Sequence, residues 1–290
     1  MSLAARHAEA LGGHLPPLLV AAERVAATVA QGVHGRRRVG QGDSFWQFRP
    51  FSVGDAAARI DWRVSARANR MFVRETEWEA AQTICLWRDG GPSMQWKSAG
   101  ASVRKADRAG LILLALAALL LRGGERVRLL GSPTRAVAGR AGLDRIADEL
   151  QRLPSDNDGL PPDAKLPRHA QVVLIGDLLA PLERIQAAIA RLVAVPVTGT
   201  LLQVLDPAEA LLPYAGRVRF QGMSAADTTL IPRVENVRRE YAERLAAQQH
   251  GLAAICAAAG WSFAIHRTDH PPEAALLALY AALAPDAGRR

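Results

Sequence analysis

The apolar positions of the chain fall into two regimes. From residue 82 onward, short continuous apolar runs alternate with longer stretches of mixed pattern, whereas residues 34–80 show no long apolar period. QTICLWRD (82–89), RVRLLGS (126–132), QVVLIGD (171–177), TGTLLQVLD (198–206) and WSFAIHR (261–267) read as strands. Runs of this length without hydrophobic–polar alternation suit strands covered on both faces. RVRFQ (217–221) predicts a short strand at a sheet edge. Residues 103–122, 142–152, 181–194, 231–259 and 272–284 predict helices, the first of them stopped by Gly123-Gly124. Upstream, 3–11 and 16–32 predict two more, separated by GGHLPP, whose prolines suit a helix start. Leu18, Leu19, Ala22, Val25, Ala26 and Val29 fall near one face of the second.

Strands alternating with helices predict an α/β fold, a doubly wound and mainly parallel sheet with helices on both faces. The expected organisation is N-terminal helices over 1–33, an Arg/Trp-rich segment over 34–80 and the sheet domain over 81–290. The most apolar run, AGLILLALAALLL (109–121), is 13 residues long. That is short of the ~20 residues needed to span a bilayer, so it predicts a buried helix. The N-terminus carries Arg6, His7 and Glu9 before any apolar stretch, unlike a secretory leader. A cytoplasmic protein is expected. Cys85 and Cys256 lie in apolar runs, which favours buried free thiols.

Charge changes the picture of the first half. The 290 residues carry a formal net charge of +8, yet residues 1–145 hold 22 basic and 12 acidic residues while 146–290 hold 14 and 16. Only three of the 36 basic residues are lysines: Lys97, Lys105 and Lys165. A basic half points to an anionic partner: nucleic acid, a membrane surface or an acidic protein. The excess concentrates between residues 36 and 74, where nine arginines face only Asp43, Asp55 and Asp61. Arginines interleaved with aromatics can bind nucleic acid by charge and stacking. The same residues can instead form a protein-facing surface, or an internal network in which Asp55 or Asp61 pairs with a nearby arginine. Lysine is nearly absent and no nucleic-acid motif is present, which makes nucleic acid the less favoured partner.

Catalytic signatures are missing. The chain has no G-x-x-x-x-G-K-[ST], no G-x-G-x-x-G after a strand, no G-x-S-x-G and no H-E-x-x-H, and its seven histidines are scattered. The chemistry-bearing positions are the strand ends. In a doubly wound sheet ligands sit at the carboxyl ends of strands near the topological switch point, and Asp89 and Asp177 both stand there. DGGPSM (89–94) adds Ser93, and Ser132 and Thr134 follow the second strand. Carboxylate and hydroxyl oxygens are what a hard cation such as Mg²⁺ takes as ligands. The same aspartates can equally cap the turn after Asp89 and the helix at 181–194.

The run FRPFSVGDAAARIDWRVSAR (48–67) resembles the signature of the domain-of-unknown-function family numbered fifty-eight. Arg49, Gly54, Asp55, Arg59, Ile60, Asp61, Trp62, Ala66 and Arg67 carry the likeness, with Phe51 where the family usually has Tyr. DGGPSM is similar to the family's D-x-S-x-S-M, IGD (175–177) to its S-D, and LQVLDPAEALLP (202–213) to a later V-x-D-P-x-E motif. The resemblance covers most of residues 34–285. It implies a von Willebrand factor A-like fold with a metal-ion-dependent adhesion site. The residues that would hold Mg²⁺ are Asp89, Ser93 and Asp177, with Thr134 as a fourth, and Gly91 departs from the pattern. It further implies a non-enzymatic interaction module, an adaptor or co-chaperone of a MoxR-type AAA+ ATPase acting on a client complex. Many members of the family carry membrane helices; none is recognisable in this sequence. The competing expectations are an Mg-dependent phosphoryl-transfer enzyme and a nucleic-acid-binding protein acting through residues 36–74.

Overall fold

In the computed structural model, residues 17–32, 39–52, 55, 60–68, 70–77, 82–153, 158–222 and 228–283 are described. The expected helix at 3–11 lies outside them. The chain divides into two compact units, one made of Met1–Gly32 with Gln82–Arg290 and the other of Val33–Ala81.

The larger unit begins with α1 (Pro17–Gly32). Its sheet strands are β3 (Thr83–Arg88), β4 (Arg126–Leu129), β5 (Gln171–Gly176), β6 (Thr198–Leu205) and β9 (Ser262–Arg267). They pair in the order β4-β3-β5-β6-β9, and every pairing is parallel. After β3 the chain runs through α3 (Pro92–Gln95) and α4 (Lys105–Arg122) to β4 on one side. It then runs through α5 (Ala141–Arg152) back to β5 on the other side of β3. The switch point therefore lies between β3 and β5, as the expected doubly wound α/β architecture requires.

The sheet is covered on both faces. On one side α4 lies against the strands, with α1 and α9 (Pro272–Leu283) packed against it. This sandwiching explains why α4 is apolar nearly all round: Ile112, Leu113, Leu114, Leu116 and Leu120 are all buried. On the other side α6 (Leu182–Leu192) and α8 (Arg238–Ala258) close a core of Trp87, Val172, Leu174, Ile185, Ile189, Leu201, Leu252 and Trp261. Cys85 and Cys256 belong to that core as free thiols, and burial pushes both up to about 11.

Two expectations fail locally. RVRFQ does not sit at the edge of the main sheet; β7 (Val218–Gln221) pairs antiparallel with β8 (Thr228–Ile231) as a separate hairpin. The helix expected from 231 begins only at Arg238. Pro232 disfavours a helical residue before it, and Thr228–Ile231 takes the extended alternative.

The smaller unit pairs β1 (Val39–Pro50) antiparallel with β2 (Phe72–Glu77), with α2 (Trp62–Ala68) between them in the chain. Among the described residues no helix is long and apolar enough to cross a membrane.

Close packing makes one glycine diagnostic. A Cβ on Gly199 of β6 would lie 2.5 Å from the Trp261 ring. Gly199→Ala is expected to destabilise the protein by about 1–3 kcal/mol through overpacking, read as a lower urea midpoint with an unchanged slope.

Candidate functional site

The parallel register brings the ends of β3, β5 and β6 level. Arg88 is opposite Ile175, and Gly176 is opposite Gln203. Asp89, Asp177 and Asp206 thus leave neighbouring strands in the same direction, and all three are buried. The Asp89 N–H donates to Ile175 O at 2.8 Å. A Cβ on Gly176 would come within 2.9 Å of the Asp89 Cβ, so the glycine of the IGD motif is what admits Asp89 between the strand ends.

Each carboxylate has a defined use. Asp89 Oδ1 accepts the Gly91 N–H at 2.7 Å and so caps the turn after β3, while Oδ2 is buried and has no hydrogen-bond partner. Burial, with the charge of Asp177 adding to it, pushes Asp89 up to about 6. The Gly91 N–H, Lys105 and Arg88 pull the other way. Asp177 does not cap α6. Its Oδ1 takes the Leu179 N–H of its own turn, and its Oδ2 accepts from Lys105 Nζ at 3.0 Å. Leu178 in that turn has a positive φ of 53°. Gln248 of α8 holds it by donating to the carbonyls of Leu178 and Ala180 at 3.0 and 2.9 Å. Asp206 caps α7 (Pro207–Leu211) through Ala208 N–H, and its other oxygen accepts the Ser98 N–H at 2.9 Å.

Lys105 organises this end of the sheet. It opens α4, is wholly buried, and forms ion pairs with both Asp177 and Glu209. Glu209 closes the capping box of α7 by accepting the Asp206 N–H. Burial raises the Glu209 carboxyl above its ordinary range, and Lys105 pulls it back. Neither Lys105 nor Glu209 stands out when the motifs are read for metal ligands. Two signals were available: the D-P-x-E capping pattern at 206–209, and the survival of a lysine at the head of an apolar helix in a chain that otherwise uses arginine.

The expected metal ligands are only partly gathered. Asp89 and Asp177 share the switch-point crevice, and Ser93, half-buried, follows on α3. The Thr134 hydroxyl bonds to Ser132 Oγ at 2.9 Å, and that hydroxyl in turn donates to Glu149. Residue 91 supplies no hydroxyl. An octahedral Mg²⁺ needs several free oxygens and room for its waters. Here Asp177 is engaged by an ammonium, Thr134 is committed elsewhere, and the unpaired Asp89 oxygen is buried. Among the described residues no cluster of three or more His, Cys, Asp or Glu side chains is arranged to hold a metal ion. This donor set does not fit the adhesion-type cation.

The signature residues lie in the smaller unit. Arg49 and Asp55 form a bidentate ion pair with both N···O distances 2.8 Å, and Asp55 also accepts the Ser52 N–H. Among the described residues no arginine pairs with Asp61. Asp61 caps α2 through the N–H groups of Arg63 and Val64, while Ser65 Oγ donates to the Asp61 carbonyl and accepts the Phe72 N–H. Those bonds tie α2 to β2. Trp62 is left 64% exposed, and Phe48, Arg63, Arg67, Arg70 and Met71 are exposed as well. Gly54 and Arg59 lie outside the described residues.

A family model described as "Protein of unknown function DUF58" matches residues 47–251, more than half of the chain. None of the curated proteins matches this sequence. Among solved structures, the chain is similar to an aerotolerance-related membrane protein from Bacteroides fragilis carrying multiple mutations to serine. The identity is 13% and the TM-score 0.38, with 70% of this chain and 98% of that one covered. It is also similar to the conserved hypothetical protein BatB from Bacteroides thetaiotaomicron, at 12% identity and a TM-score of 0.34, covering 69% and 98%.

Two outcomes follow from the geometry. Asp89 carries a folded-state pKa above its ordinary value, so its own contribution to stability rises as pH falls through 6 toward 4. Asp89→Asn removes that dependence. The variant is expected to be more stable above pH 7 by about 2 kcal/mol, with the gain shrinking below pH 6; urea unfolding across a pH series checks both. Asp61→Ala is expected to cost about 1 kcal/mol through the lost cap, seen as loosened amide-exchange protection in α2.

Proposed function

We propose, from the premise that the chain belongs to the family of proteins of unknown function DUF58, that it is a non-enzymatic protein-interaction module serving as an adaptor of a MoxR-type AAA+ ATPase in the assembly or maturation of a client complex. On this reading the sheet unit is the scaffold, of von Willebrand factor A-like type, and the signature unit carries the docking surface. The protein works in the cytoplasm.

One observation carries the reading: among the described residues of the signature, the acidic and hydroxyl side chains are spent on internal bonds, while Trp62 and two arginines of α2 are displayed. Arg49, Asp55, Asp61 and Ser65 hold the unit together. Trp62, with Arg63 and Arg67 one helical turn apart, is presented to solvent on α2. Tryptophan and arginine dominate the energetics of protein interfaces, and arginines beside an exposed aromatic suit an acidic protein surface. The burial of Asp89 and Asp177, and the engagement of Asp177 by Lys105, support this reading over phosphoryl transfer, which needs carboxylates open to a metal and a substrate.

The test is a pull-down with the cognate MoxR-type ATPase in nucleotide-free, ADP and ATP states. The wild type is expected to form a complex in at least one state, weakening as salt rises. Trp62→Ala and the double reversal Arg63→Glu with Arg67→Glu are each expected to reduce affinity about tenfold or more without lowering the melting temperature of the sheet unit. Absence of a complex in every state would remove the adaptor reading.

A further inference from the structure

We propose that the ammonium of Lys105 is the resident cation of the strand-end carboxylates, and that it closes this crevice to divalent metal ions. The inference goes beyond the adaptor reading and needs no partner.

The argument is one of charge and room. Asp89, Asp177, Asp206 and Glu209 converge at the ends of three adjacent parallel strands and one helix start, and a sheet end with this much buried negative charge requires a counter-ion. Lys105 supplies it. Its side chain is fully buried and bridges Asp177 Oδ2 and Glu209 Oε1, which belong to loops after different strands. An ammonium is a compact charge with three donors, so it can meet two carboxylates at once where the broad fork of an arginine would need more space. That accounts for a lysine here in a chain with only three.

A metal would have to displace the ammonium from Asp177, and Lys105 starts the most buried helix of the fold, so its backbone cannot retreat. The one carboxylate oxygen left without a partner, Asp89 Oδ2, is itself buried away from solvent. The hydroxyl expected from Thr134 is held by Ser132, and the one expected at residue 91 is replaced by glycine. Each departure from a hydrated-cation site is thus matched by a contact that substitutes for it.

The experiment is calorimetry and thermal unfolding of the full chain with millimolar MgCl₂ or MnCl₂. The wild type is expected to show no saturable heat and no shift in melting temperature. Lys105→Gln, neutral and of similar length, leaves the carboxylates without their counter-ion. Its melting temperature is expected to fall, and Mn²⁺ is expected to restore part of the loss, as any ligand selective for the folded state does. Asp177→Asn on that background is expected to remove the restoration. Lys105→Arg keeps the charge and is expected to stay insensitive to metal. Saturable heat with the wild type that Asp177→Asn abolishes would overturn the proposal. So would a folded Lys105→Gln variant that gives no response to either ion. Should Lys105→Gln fail to fold, the wild-type titration still decides.

Discussion

The desolvation of carboxylates at the ends of parallel strands is the constraint around which this end of the molecule is arranged. A parallel sheet delivers strand termini side by side, and here three successive termini each deliver an aspartate. Left alone, that arrangement would repel itself. Three devices relieve it: backbone N–H groups in the turns after Asp89 and Asp206, the capping box shared by Asp206 and Glu209, and the ammonium of Lys105 between Asp177 and Glu209. Breaking a buried ion pair from one side costs about 3–5 kcal/mol, so Lys105 couples the start of α4 to the loops after β5 and β6 more firmly than any surface pair could. The clamp of Gln248 on the strained turn at Leu178 extends the same coupling to α8.

The smaller unit solves a different problem with different means. Directional polar bonds fix its turn and its helix. The bidentate Arg49–Asp55 pair fixes the turn after β1, and Asp61 with Ser65 fixes α2 against β2. With Asp55 and Asp61 engaged internally, Trp62, Arg63, Arg67 and Arg70 stand exposed on the unit. The net positive charge of the first half is shared between the units: residues 33–81 hold nine basic and six acidic residues, whereas residues 82–145 of the sheet unit hold eleven and four.

What could be read from the sequence follows from what is local. Continuous apolar runs ending in Asp89 and Asp177 announced buried parallel strands, and AGLILLALAALLL announced a helix covered on all sides. The hairpin of β7 and β8 was missed because four-residue strands carry little periodicity and Pro232 acts only on its neighbour. Lys105 escaped for the opposite reason. Its partners are 72 and 104 residues away, and at a helix start a lysine has the look of a solvated charge. Asp61 was legible as important in the IDW run but not as a helix cap, because Arg63 and Arg67 offered an equally plausible pairing until the backbone geometry was known.

The chain leaves the sheet unit after α1 and re-enters it at Gln82, with the whole signature unit in between. Docking α1 on α4 therefore closes a long excursion. The entropic cost of such a closure grows only logarithmically, about 0.6 kcal/mol for each doubling of length. The signature unit is in effect cargo carried on a loop: its length can change with small consequence for the scaffold. The scaffold in turn can keep its carboxylate cluster unchanged while the inserted unit varies.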